Sequence, residues 1–196
     1  MGSEMCIRDR IKEMEGLQSG KIELEMTEEN LLCLVEECVD SLSHILSKKR
    51  LTLDIVEEKE ELTIVTNPVS FKISIIENIL TNAIKFSPEG ETINIKLFEE
   101  NESVGISISD NGAGIPEDVL RSIFDQNEKS TRLGTRGERG TGFGMLLIEA
   151  YCEILGYQLG VSSNHSVPDF SDNDTSGTTI SVLIPKPIFD EEKLAS

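Results

Sequence analysis

Basic residues are scarce in this chain. Lysine and arginine number 18 against 36 aspartates and glutamates, a net charge of -18 over 196 residues and a pI near 4.4. Such a surface repels a polyanion and disfavours non-specific nucleic-acid binding. Cysteine is sparse too: Cys6, Cys33, Cys38 and Cys152 form no C-x-x-C pair, and the two histidines are too few for a metal cluster. The thiols are expected to be buried or idle in a reducing cytoplasm. No run approaches the roughly 18 apolar residues of a membrane span, and no apolar signal segment follows Met1. What remains is 38% hydrophobic and 28% charged. The acidity is therefore diluted by enough Ile, Leu and Val to rule out a disordered acidic tail and to build one core.

The first ten residues stand apart. Glu4–Arg10 back-translates as NAG-ATG-TGT-ATA-AGA-GAC-AGN, a string similar to the transposon end ligated onto fragments in sequencing libraries. Residues 1–10 are thus expected to be adapter-derived, with the natural gene cut upstream of about Ile11. Ile11, Met14 and Leu17, three apart and stopped by Gly20, predict the end of a helix over 11–20.

From Lys21 the pattern alternates between two periods. Lys21–Met26 predicts a short strand, and Thr27 is placed to cap a helix over 28–49 with Leu31, Leu32, Leu34, Val35, Val39, Leu42 and Ile45 on its apolar face. Leu51–Val56 and Leu62–Val65 read as strands around an acidic turn. Pro68 opens a helix to about Phe86, ended by Ser87-Pro88-Glu89-Gly90. Thr92–Phe98 and Val104–Ser109 alternate as strands, Glu117–Phe124 reads as a short helix, and 125–140 has no apolar period. Gly142–Leu155 is a helix closed by Gly156, with strands at Tyr157–Ser162 and Thr178–Ile184. Strands paired across short turns imply hairpins, hence an α+β sandwich with helices on one face of a mixed, mostly antiparallel sheet. Residues 188–196 are expected to fray.

Four places carry chemistry. On a helix turning about 100° per residue, Asn82 and Lys85 fall at about 40° and about -20° from Asn78. Ile73, Ile76, Leu80, Ala83 and Ile84 lie on the opposite side. Amide oxygens suit Mg²⁺ and a lysine beside them suits phosphate, although a solvated helix face has the same composition. Next, Asp110-Asn-Gly112-Ala-Gly114-Ile115 follows a strand directly. Its carboxylate is an acceptor for an exocyclic amine, and its glycines admit positive φ beside a flat ring; Asp-Asn-Gly is also plain turn chemistry. Third, Gly140-Thr141-Gly142-Phe143-Gly144 opens a helix, whose N-terminus attracts anions. The stretch 126–139 before it carries Lys129, Arg132, Arg136 and Arg139 against Glu128 and Glu138, four positive less two negative, or +2. A cationic glycine-punctuated loop beside such a helix start fits a phosphate lid. Last, Gly177-Thr178 opens the final strand.

In order, these segments resemble the ATP-binding catalytic domain of sensor histidine kinases, within the gyrase, chaperone, histidine kinase and mismatch-repair ATPase superfamily. Asn78-Ile-Leu-Thr-Asn82-Ala-Ile-Lys85-Phe86 is similar to its asparagine box, 110–115 to its first glycine box, Phe124 to its phenylalanine box, and 140–144 to its second glycine box. Gly177-Thr178 is similar to its closing pair. The resemblance implies a Bergerat-type fold over 21–187, preceded by the remnant of a dimerisation and phosphoacceptor helix. It implies ATP and Mg²⁺ as cofactors. Magnesium would be held through Asn82, phosphate by Asn78, Lys85 and one of Arg132 and Arg139 (Lys129 and Arg136 in reserve), and adenine by Asp110. Phe86, Gly112, Gly114, Ile115, Gly140, Thr141, Gly142, Phe143, Gly144 and Thr178 complete the nucleotide contacts. The implied partners are the dimerisation helices, a response regulator and a second copy of the full-length protein. The implied place is the cytoplasm, with no nucleic acid bound. Phe143 and Met145 stand where leucines are common in the family. Alternatives within the fold are a hydrolysing clamp and a sigma-factor-binding serine kinase. The clamp relatives carry a glutamate base where this chain has Asn78. His44 and His165 are followed by Ile45 and Ser166 rather than by an acid, so neither resembles an acceptor histidine.

Overall fold

The computed structural model describes residues 23–125, 134–137, 143–165 and 176–186. The expected helix over 11–20, Lys21 and the C-terminal tail lie outside these.

The described chain opens with β1 (Thr27–Asn30), α1 (Leu31–Lys49), β2 (Thr52–Glu57) and β3 (Thr63–Thr66). One continuous helical run follows, made of α2 (Pro68–Ser70), a π segment (Phe71–Ile76) and α3 (Glu77–Phe86). Then come β4 (Thr92–Glu100), β5 (Ser103–Asp110), α4 (Glu117–Ser122), α5 (Gly144–Leu155), β6 (Gln158–Asn164) and β7 (Gly177–Pro185). Five strands form a mixed sheet in the order β2-β4-β5-β7-β6, parallel only between β2 and β4. The helices cover one face of it. This is the expected sandwich.

Alternation builds the interior. Ile93, Ile95 and Leu97 of β4, Val104, Ile106 and Ile108 of β5, and Ile180, Val182 and Ile184 of β7 are all buried. Strands with period two present those residues to a single face. Leu31, Leu34, Val35, Cys38, Leu42 and Leu46 from α1 and Ile75, Ile76, Ile79, Leu80, Ala83 and Ile84 from the long helix fill the other side of the core. Phe71 and Tyr157 meet edge to face at 6.1 Å, and the Tyr157 hydroxyl donates to Val65 O at 3.2 Å.

Several expectations are corrected. Residues 23–26 form no strand; the strand is Thr27–Asn30, which pairs antiparallel with β3 as a separate two-stranded sheet. The helix cap is therefore Asn30, whose Oδ1 accepts from Cys33 N at 2.9 Å, rather than Thr27. Pairing with β3 extends the chain three residues further than cap chemistry alone suggested. β2 and β3 are not a hairpin, because β2 pairs with β4 and β3 with β1. On α1, Ile45 is exposed and Leu46 takes the core position. Ile73 is exposed as well. A π turn closes its bonds from i to i+5, so each residue there advances less than the ideal 100°. That rotates Ile73 out of the apolar stripe. Cys38 and Cys152 are buried free thiols, while Cys33 is free and exposed.

Candidate functional site

The inward period of β5 does not stop at Ile108. It continues to Asp110, which pairs in register with Thr178 of β7. Both are buried at the strand ends, on the helix-facing side. Asp110 Oδ1 accepts from Gly112 N at 2.9 Å. Burial pushes the Asp110 carboxyl up to about 6, against the pull of backbone hydrogen bonds from Gly112 and Thr178. A nearly buried carboxylate with a few backbone donors is a strong acceptor for a ligand's N–H.

The turn after it is built tightly. A Cβ on Gly112 would lie 2.6 Å from Phe86 O and 2.7 Å from Asp110 Oδ1. Gly114 has φ +69, and a Cβ there would meet Asn164 O at 2.2 Å. A Cβ on Gly177 would strike Asp110 O at 2.2 Å. These three positions admit only glycine. Ser163 ties the turn to the sheet: its Oγ accepts from Ile115 N at 2.7 Å, donates to Gly177 O at 2.9 Å, and lies 3.0 Å from Thr178 Oγ1. His165 Nδ1 lies 2.6 Å from Ala113 O.

The amide stripe stands next to this turn, with Phe86 O as the point of contact. Asn78 Nδ2 donates to Ile73 O at 3.0 Å and Ser74 O at 2.9 Å, both carbonyls of the π segment. Two acceptors on one side fix the amide's orientation, so Oδ1 points away from them. A Cβ on Gly144 would lie 3.6 Å from Asn78 Oδ1 and 3.6 Å from Asn82 Nδ2. The start of α5 and both amides therefore converge, and the positive end of the helix dipole points at the same place. Asn82 Nδ2 donates to Met145 Sδ at 3.6 Å. Lys85 Nζ sits 4.6 Å above the centre of the Phe86 ring. An ammonium, two amides and a helix start suit phosphate and its cation, whereas the Asp110 carboxylate suits a ligand's N–H.

The structure thus brings Asn78, Asn82, Lys85, Phe86 and Gly144 to one side and Asp110, Gly112, Gly114, Ile115 and Thr178 to the other. Phe143 immediately precedes α5. Arg132, Arg139, Gly140, Thr141 and Gly142, with most of the lid, lie outside the described residues. Arg136 is described: it pairs with Glu89 and donates to Lys48 O at 3.1 Å. Two positions that sequence reasoning passed over, Ser163 and Lys49, act through main-chain groups. Lys49 is buried at the end of α1 and donates from Nζ to Ile84 O at 2.6 Å and Lys85 O at 2.9 Å. Its spacing offered no signal beyond the basic last turn common to many helices.

Residues 70–188 match the model of the histidine kinase-, DNA gyrase B- and HSP90-like ATPase family. The chain belongs to that family. The sensor protein KdpD of Clostridium acetobutylicum is 32% identical over 142 residues, covering 72% of this chain and 15% of KdpD. The chain thus spans about a seventh of that relative's length. Among solved structures, full-length ShkA in complex with AMPPNP aligns at a TM-score of 0.69 and 18% identity, covering 90% of this chain and 34% of ShkA. Histidine kinase ThkA in complex with the response regulator TrrA aligns at 0.68 and 20% identity, covering 95% of this chain and 49% of that one. At these identities the two structures establish the shared fold.

Proposed function

We propose that residues 21–187 are the Mg-ATP-binding catalytic domain of a two-component sensor histidine kinase, working in the cytoplasm as part of a dimer. It would donate the γ-phosphoryl to a histidine on a dimerisation domain, from which a response regulator takes it. The carrying observation is the convergence of a buried carboxylate with an amide–lysine stripe across one glycine turn.

The residues fit the cofactor. Gly112 lets the main chain pass within contact of Phe86 O, where a Cβ would clash at 2.6 Å, and Asp110 would accept from the exocyclic amine of adenine. Asn82 would hold magnesium, Asn78 would support the same polar face, and Lys85 would lie against phosphate. Gly114, Ile115, Phe143, Gly144 and Thr178 would wall the site, with Gly140, Thr141, Gly142, Arg132 and Arg139 contributing from the lid. Bound Mg-ATP supplies the phosphoryl group and neutralises its charge. The protein's part is orientation and exclusion of water.

The nearest carboxylate on the helix also bears on the choice between transfer and hydrolysis. Glu77 Oε1 lies 3.2 Å from Ser41 Oγ and so faces α1 rather than the amide stripe. Where the described part of the helix aims no carboxylate base into the site, water is poorly activated, while an acceptor imidazole is already nucleophilic. Calorimetric titration with ATP, with and without Mg²⁺, tests binding. Supplying the dimerisation domain of a related kinase with γ-labelled ATP tests transfer. Acid-labile label on that domain is expected. Absence of saturable binding, or rapid hydrolysis with no transfer, would overturn the reading.

A further inference from the structure

The carbonyl of Lys85 is the meeting point of three segments. Besides Lys49 Nζ at 2.9 Å, it accepts from Thr135 N at 3.1 Å and lies 3.3 Å from Thr135 Oγ1. Thr135 Oγ1 lies closer, at 2.9 Å, to Ser87 O. A hydroxyl has one proton, so Oγ1 bonds Ser87 while the amide keeps Lys85. Ser87 is itself buried, returning both N (2.9 Å) and Oγ (2.7 Å) to Ala83 O. The carbonyls of Ala83, Ile84, Lys85 and Ser87 are thus all bonded. A helix end normally leaves such groups to water.

We propose that Thr135 and Lys49 are positioning residues for Lys85. They fix the last turn of α3 through the carbonyls of Ile84, Lys85 and Ser87. The next carbonyl, Phe86 O, abuts Gly112, so consecutive groups of the helix end are held. Neither residue needs to touch nucleotide. A buried ammonium bonded to two carbonyls is seldom a source of net stability, since its desolvation offsets the bonds. Its use here is geometric: it sets where the Lys85 ammonium stands relative to Asn78 and Asn82. Because Lys85 is read as a phosphate contact, the inference rests on the proposed function.

The test compares Mg-ATP with adenosine, which lacks the phosphates, in Thr135→Val, Thr135→Ser and Lys49→Met. Losing the hydroxyl bond is expected to weaken Mg-ATP about three- to tenfold. Adenosine affinity and melting temperature should hold, and Thr135→Ser should restore Mg-ATP binding. Lys49→Met should show the same selectivity; if it fails to fold, Thr135→Val decides. Wild-type Mg-ATP affinity in Thr135→Val would overturn the proposal. So would equal losses for both ligands that track a lowered melting temperature and are not rescued by serine. Wild-type protein that binds no Mg-ATP would overturn the functional reading and this proposal with it.

Discussion

Asp110 carries two opposing demands, and separating them gives a sharp experiment. Burial raises its carboxyl from 3.8 to about 6, which corresponds to roughly 3 kcal/mol held against the charged form. Since the folded value is the higher one, Asp110's contribution to stability is full below about pH 4 and is lost as pH rises through about 6. Ligand recognition runs the other way, because only the ionised group offers a full acceptor. Its ionised fraction falls from about nine-tenths at pH 7 to about one-tenth at pH 5, so affinity should drop by up to about tenfold. Adenosine is the proper ligand, having no phosphate to titrate over this range. Asp110→Asn mimics the neutral group. Its apo form should be more stable at pH 7, by at most about 3 kcal/mol, and its adenosine affinity should be lower and flat between pH 5 and 7. Differential scanning calorimetry reads the first effect and titration calorimetry the second. An Asn variant that binds adenosine like wild type, or wild-type affinity that is level from pH 5 to 7, refutes the reasoning.

Three other outcomes are expected. Asn82→Ala should weaken the magnesium-dependent part of ATP affinity while sparing adenosine; equal losses would mean a different metal ligand. Gly114→Ala forces φ +69 on a residue whose Cβ would meet Asn164 O at 2.2 Å. It should cost about 2 kcal/mol or more and lower the melting temperature by several degrees. Gly144→Ala, with 3.6 Å of room, should leave that temperature nearly unchanged; equal melts for the two variants would contradict the geometry. The chain by itself should acquire no phosphohistidine. His44 is exposed on α1 and His165 is bonded to Ala113 O, so neither has the alignment that in-line transfer needs. Acid-labile label that vanishes with His44→Ala would overturn this.

Most of the sheet was legible because period two needs no tertiary knowledge: Ile93–Leu97 and Val104–Ile108 alternate plainly, and carrying the count one step on places Asp110 inside. The amide stripe was legible from Asn78 onward, where the helix is regular. It failed at Ile73, because a helical wheel assumes a constant advance per residue and the π segment breaks it. Partnering was also hidden. A short acidic turn between β2 and β3 suggested a hairpin, yet each strand found a better surface elsewhere, β2 beside β4 and β3 beside β1. Lys49 and Ser163 were invisible for a related reason: what they bond is main chain from Ile84, Lys85, Ile115 and Gly177, and a carbonyl leaves no letter in a sequence.

The π segment makes the long helix behave as two rods joined out of phase. Phe71 and Ile75, buried in the core, set the rotation of the first rod, while the amides and Lys85 ride on the second. Asn78 spans the joint, its side chain bonded back to Ile73 O and Ser74 O. Winding the same residues with i to i+4 bonds would instead turn everything downstream by about 100° relative to Phe71. Asn82 and Lys85 would then swing away from Gly144, and Ile79 and Leu80 out of the core. The aim of the phosphate-facing side chains is therefore stored in the wider winding of a segment several positions upstream of them.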